Sequence, residues 1–178
     1  MAEKVRIEGF HSTTQRYADM IKKTGKFKPS TKDNEWLGKG VYFWSEYIDA
    51  LFWVERSYKE ENEMCIITAT ISEDEKRILD LDVSENMKKL NDFATTFNEE
   101  IKEKKFSLNF KNEKEMRCFY CESFKRKYNI NVIIYSFPIN GHNKAGFDLR
   151  RKQICVDDAD SIFIKKYENV RKGDYNVI

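Results

Sequence analysis

Hydrophobic positions along this chain change period several times, and each change predicts an element. Val5 to Phe10 alternates weakly, the rhythm of a half-buried strand, and predicts a strand that delivers His11 to its end. Ser12 or Thr13 is placed to cap a helix with Tyr17, Met20 and Ile21 as its apolar stripe, and Gly25 to stop it. A polar loop over 26–35 leads to a short strand at Val41 to Trp44. Ser45 then offers an N-cap for a helix that turns Tyr47, Ile48, Leu51, Phe52 and Val54 inward. Met64 to Ile71 is rich in β-branched residues and predicts a central strand, with Arg77 to Leu81 as a shorter partner. From Ser84 the period lengthens: Met87, Leu90, Phe93, Ala94, Phe97 and Ile101 recur at helical spacing and read as a core stripe. Asn112 with Glu115 predicts a capping box for a further helix carrying Met116, Phe119, Tyr120, Phe124 and Tyr128. Val132 to Phe137 reads as a buried strand, Asn140-Gly141 as a turn and the surroundings of Gly146 as a loop. Lys152 to Val156 and Ile162 to Tyr167 close the pattern as strands on either side of an acidic turn at Asp157, Asp158 and Asp160. Strands that do not alternate regularly with helices indicate an α+β domain.

A length of 178 residues suits one domain spanning 1–178. Its 32 basic and 30 acidic side chains leave a formal charge of +2, which argues neither for nor against a nucleic-acid partner. Local basic clusters, among them Lys125-Arg126-Lys127 and Arg150-Arg151-Lys152, read for the most part as solvated faces. Met1 to Arg6 lacks the apolar core of a secretory signal, and the longest apolar run, Met64 to Ile71, is a strand's length; the expectation is a cytoplasmic protein with no membrane contact. The four cysteines follow no disulfide-framework spacing, which suits a reducing compartment. Cys118-x-x-Cys121 falls within a predicted helix with no second pair and only two histidines in the chain, so buried thiols are expected there rather than a metal site. His142 sits in a polar loop and reads as a surface residue.

Chemistry concentrates in Trp36-Leu37-Gly38-Lys39-Gly40-Val41-Tyr42-Phe43-Trp44, about one helix downstream of Gly9-Phe10-His11-Ser12-Thr13. Glycines at 38 and 40 forgo side-chain packing, as where another backbone or a ligand approaches closely. The two segments, in this order and spacing, resemble the first two signature segments of the ADP-ribosyltransferases of the poly(ADP-ribose) polymerase and diphtheria-toxin type. The resemblance implies a split two-sheet β core with flanking helices and NAD+ as co-substrate in a cleft between the sheets. It also implies roles. His11 would bond a ribose hydroxyl of the adenosine half, Ser12 would engage the nicotinamide amide through its backbone, and Thr13 and Gly40 would complete the NAD+-binding segments. Tyr42 would stack on the nicotinamide ring, with Trp53 as the second aromatic wall. Ala50 stands where many relatives have a serine, and Ser12 where they commonly have glycine. At the third signature, where active relatives place a glutamate, this chain carries Gln153. An amide can orient a ribose hydroxyl but supplies no negative charge to a cationic sugar.

The implied activity is mono-ADP-ribosyl transfer to a macromolecular acceptor, nucleic acid or protein, rather than chain elongation. Compact transferases of this kind resemble bacterial toxins or antiviral defence effectors, with an antitoxin or other neutralising partner. A rival reading from another class is a catalytically inactive module that holds NAD+ or ADP-ribose and acts through partner recognition, and Gln153 is its main support.

Overall fold

The computed structural model describes residues 4–57, 63–171 and 173; Met1 to Glu3, on which the N-terminal reading in part rests, lie outside them, as does the His142 side chain. Strand β1 (Lys4–Thr14) is longer than its alternation suggested, so His11 lies within the strand rather than at its end. The cap of α1 (Gln15–Thr24) is accordingly Thr14, whose side chain accepts from the Tyr17 amide, and not Ser12 or Thr13. Gly25 ends the helix in the left-handed region at φ 68°, as expected. The buried positions of α1 are Ala18 and Ile21, while Tyr17 and Met20 are about half exposed. Strand β2 (Val41–Trp44) matches its prediction. Ser45 continues the ladder, its amide donating to the Lys152 carbonyl at 3.1 Å, and α2 begins at Tyr47 (Tyr47–Ser57).

Strands β3 (Glu63–Asp74) and β4 (Ile78–Asp80) flank a short 3-10 turn. The β4 segment is not a partner of β3 but pairs in parallel with β5 (Val132–His142). Of the long stripe on α3 (Ser84–Glu103) only Phe93 is buried. Asn112 caps α4 (Glu113–Tyr128), accepting from the Glu115 amide at 3.0 Å, but Glu115 reaches back to the Lys111 amide, one residue beyond the expected partner. Strand β5 runs through the predicted Asn140-Gly141 turn, and the reversal comes at 143–147, before β6 (Asp148–Val156). Strand β7 (Ile162–Arg171) follows the acidic turn.

The seven strands form one mixed hydrogen-bonded sheet in the order β4-β5-β6-β2-β1-β3-β7, an α+β arrangement where two separate sheets were expected. The ladder narrows, however, at its middle: β1 and β2 share the single register pair Phe10↔Trp44. In a flat sheet β1 and β4 would lie about 19 Å apart, four strand spacings. Val5 and Ile7 nonetheless line one cavity of about 440 Å³ together with Ile78 and Ile134. The sheet therefore folds over at this seam. Its inner surface makes a core of Ile7, Ile67 and Ile71 from one half and Phe43, Val132 and Ile154 from the other, closed by α1 and Phe27. Outside, α3 and α4 pack Phe93 and Phe124 on Leu79, Ile133 and Cys155, and α2 packs Leu51 and Val54 on Met64 and Ile66.

Candidate functional site

The close backbone approach implied by Gly38 and Gly40 is real and has internal partners. At φ +91° and +151° both occupy conformations that other residues rarely adopt. A Cβ on Gly40 would stand 2.6 Å from the Val156 carbonyl oxygen, and one on Gly38 would stand 2.5 Å from Glu122 Oε1. Glu122 Oε1 accepts from the Lys39 amide at 2.7 Å, and Lys125 Nζ donates to the Lys39 carbonyl at 2.5 Å, to Glu122 at 2.7 Å and to Asp157 at 3.2 Å. The Lys125 side chain is only 3% exposed, a burial that lysine tolerates only when paired. Burial alone would lower its pKa, but Cys155, Glu122 and Asp157 outweigh that and hold it above the usual value. Sequence reasoning missed this clamp, although Glu122 and Lys125, three apart on one helix, were its available signal.

Tyr42 faces the same loop. Its hydroxyl donates to the Gly38 carbonyl at 2.6 Å and accepts from the Leu37 amide at 2.8 Å, and burial pushes its pKa far above the usual phenol value. The oxygen is thus committed to the loop, so any role of Tyr42 toward a ligand falls to its ring. Along β2 the side chains alternate, and Tyr42 and Trp44 share the outer face while Phe43 enters the inner core.

His11 lies at the seam on the other side. Its ring packs edge-on to Phe27 and tilted to Phe43, with centroids 5.1 and 5.6 Å away, and its Nδ1 is 2.8 Å from the Tyr42 carbonyl oxygen. Burial lowers its pKa, so the neutral ring prevails near neutral pH. A carbonyl can only accept, which assigns the proton to Nδ1 and leaves Nε2 as an acceptor. Ser12 is buried and donates its hydroxyl to the Ala50 carbonyl at 2.7 Å, tying β1 to α2 at the position where a serine was absent from the helix. Thr13 is buried and paired with Cys65 across the β1–β3 ladder.

Gln153 is the register partner of Trp44 on one side and of Tyr135 on the other, so its side chain shares the outer face with theirs and with that of Tyr42. It is 6% exposed, and its amide oxygen is buried with no hydrogen-bond partner among the described residues. Trp53, more than a third exposed on α2, places its ring 5.5 Å from that of Trp44. Nearby, Arg151 donates from Nε to Asp49 at 2.9 Å and lies 3.4 Å over the Phe52 ring. Burial raises the Asp49 pKa, with Arg151 opposing it. The structure thus gathers Tyr42, Gln153 and Trp53 around Trp44 on one face, and joins His11 to that group through the Tyr42 backbone rather than side chain to side chain. Trp44 and Tyr135 were not singled out from sequence, though the alternation of Val41 to Trp44 already aligned Trp44 with Tyr42.

This face presents aromatic rings beside the acceptor oxygen of Gln153, while His11 lies on the opposite face of the sheet against Phe27 and Phe43. Neither face offers a cysteine nucleophile: all four thiols are free and buried, and burial pushes Cys121 and Cys155 up to about 12. No group of three or more metal-ligating side chains occurs among the described residues. No helix among them is long and apolar enough to cross a membrane. No family model matches the chain. It is similar to an uncharacterized protein of Methanocaldococcus jannaschii, 35% identical over 85 residues, a match covering 46% of this chain and 40% of the archaeal protein. The matched part thus spans about two fifths of that relative's length.

Proposed function

We propose that this chain is a mono-ADP-ribosyltransferase that cleaves NAD+ at the nicotinamide bond and passes ADP-ribose to a macromolecular acceptor, as toxins and defence effectors of this type do. The reading rests on the Gln153 amide oxygen, a buried acceptor without a donor among the described residues, in a surrounding of aromatic rings. Buried polar atoms are nearly always satisfied, so an orphan beside Trp44 and Tyr135 calls for a ligand that brings an N–H or O–H. A nicotinamide riboside brings both a flat cationic ring and hydroxyls. The fold supports the same reading, since a sheet folded over at its middle is what a split two-sheet transferase core requires.

In the reaction the bond from the ribose C1′ to the pyridinium nitrogen breaks, and its electron pair leaves with neutral nicotinamide. The acceptor's nucleophile forms the new bond to C1′ and gives up its proton. Trp53 and the Tyr42 ring would hold the pyridinium by dispersion and cation–π attraction. Gln153 would orient the nicotinamide-ribose hydroxyl, and the Nε2 lone pair of neutral His11 would accept from the adenosine ribose. The Ser12 backbone, with Thr13, would shape the rest of the dinucleotide site, whereas the close approach at Gly40 is taken by Val156 and Cys155. A carboxylate at 153 would stabilise the oxocarbenium-like sugar more strongly, because a charge-assisted bond is about twice a neutral one.

Isothermal titration with NAD+, together with nicotinamide release in cell extract, tests the proposal. Binding that is lost in Trp53→Ala, and faster NAD+ hydrolysis in Gln153→Glu, are the expected results. Folded protein that gives no heat with NAD+ removes the proposal. The amide at 153 also favours a second reading, an inactive NAD+ or ADP-ribose binder; heat of binding without nicotinamide release in any extract would select it.

A further inference from the structure

Outward from Gln153 the same face continues as a strip of rings and cations. The next outward pair along β5 and β6 after Tyr135↔Gln153 is Phe137↔Arg151. Phe137 meets Tyr135 edge-on at 4.8 Å and Trp36 at 4.5 Å between centroids. Three cations lie over rings of this strip: Arg151 over Phe52 at 3.4 Å, Arg117 over Phe137 at 5.2 Å and Lys114 over Trp36 at 5.3 Å. They arrive from β6 and α4, while the rings come from α2, β5 and the segment before β2, so the fold and not one local sequence run assembles the strip.

Its charge is incompletely balanced. Arg151 has a carboxylate partner in Asp49. Arg117 uses Nε on the Trp36 carbonyl at 3.1 Å, and its two Nη groups meet no acceptor among the described residues. The Lys114 ammonium likewise has no carboxylate within reach there, only the Trp36 ring. A guanidinium stacked on one ring keeps its other face open to a second planar group and its edge open to an anion. The complementary partner is a polyanion that carries flat rings at short intervals. A double helix hides its rings within the stack, whereas a single strand presents both the phosphates and the bases that such strips bind.

We infer that this strip binds single-stranded nucleic acid and presents it to the Gln153 face as the ADP-ribose acceptor. The acceptor role rests on the transferase reading above; the binding does not. Phosphates meet Arg117 and Lys114, and unstacked bases lie on Trp36.

Fluorescence anisotropy tests the inference without NAD+, using a labelled short oligonucleotide of mixed sequence as RNA, as DNA, and annealed to its complement. Single strands bind more tightly than the duplex, and their affinity falls with salt, by roughly 0.7 in log K per decade for each phosphate engaged. Arg117→Ala weakens single-strand binding about fivefold or more, and Lys114→Glu, at an exposed position, weakens it further while leaving the melting temperature unchanged. Absence of single-strand binding at low salt, equal binding of the duplex, or wild-type affinity in the Arg117→Ala/Lys114→Glu double variant overturns the inference. So does a product from labelled NAD+ that protease removes and nuclease leaves. Strand binding without any nicotinamide release overturns the transferase reading alone, and nicotinamide release without strand binding overturns this inference alone.

Discussion

Two neighbouring regions treat their polar atoms in opposite ways. Around Leu37 to Lys39 the loop is gripped from both sides: the Tyr42 hydroxyl takes the Leu37 amide and the Gly38 carbonyl, and Glu122 with Lys125 takes both backbone groups of Lys39. On the outer face of β6 the Gln153 amide oxygen is buried and meets no hydrogen-bond partner among the described residues. Glycine-rich segments invite the assumption that the ligand lies against the glycines. Here the glycines serve the protein's own close contacts, and one of three unsatisfied buried side-chain atoms among the described residues, the others being Gln15 Oε1 and Thr70 Oγ1, lies on β6 beside β2, where the rings gather. Gln153 differs from the other two in lying among aromatic rings, and that combination marks the candidate site.

The sharpest break of this contrast is Lys125→Met. Removing the ammonium leaves Glu122 beside Gly38 without its buried counter-charge, and urea denaturation should record a loss of about 3–5 kcal/mol. Replacing the pair together, as Lys125→Met with Glu122→Leu, should recover much of that loss. Tyr42→Phe comes next: it strips two backbone groups of their partner and should cost about 1–3 kcal/mol, while a retained ring keeps NAD+ affinity near wild type in titration.

The third effect concerns acid. Because the folded His11 pKa is lowered, the unfolded chain takes up its proton first as pH falls. The stability contribution is therefore complete above the ordinary value of 6.5 and is lost as pH drops below it toward the folded value. Thermal melts from pH 7.5 to pH 5, values of about the range in which histidine titrates, should decline less in His11→Asn than in wild type. The smallest change should come from Gln153→Leu, which exchanges an orphaned amide for an apolar group. A gain of about 1 kcal/mol in stability with loss of NAD+ heat is expected, and a loss of stability would show that the amide is scaffold after all.

Element types were largely legible from period: β2, α1, α3 and α4 lie close to where the spacing of apolar residues put them. Strand ends were less so, because β1 and β3 pair along their full lengths and carry polar residues such as Thr13 and Ser72 into the ladder. The helix stripes were read too widely. Met87 and Met116 remain exposed because α3 and α4 cover one sheet face and no described residues pack on their far side. The candidate site was partly legible. Tyr42, Trp53 and Gln153 follow from the order of the motifs, but Tyr135, Arg117 and Glu122 are brought in by pairings across the whole chain, which local spacing cannot encode.

The strand order has a consequence for synthesis. Strand β2 is bordered by β6, and β3 by β7, each made roughly a hundred residues later, a separation typical of slowly closing contacts. A nascent chain can join β1 to β3 early, yet it carries an open edge on both halves until the distant strands leave the ribosome. The Gln153 face cannot exist before then, because Gln153 meets Trp44 and Tyr135 only once β6 has been made and paired.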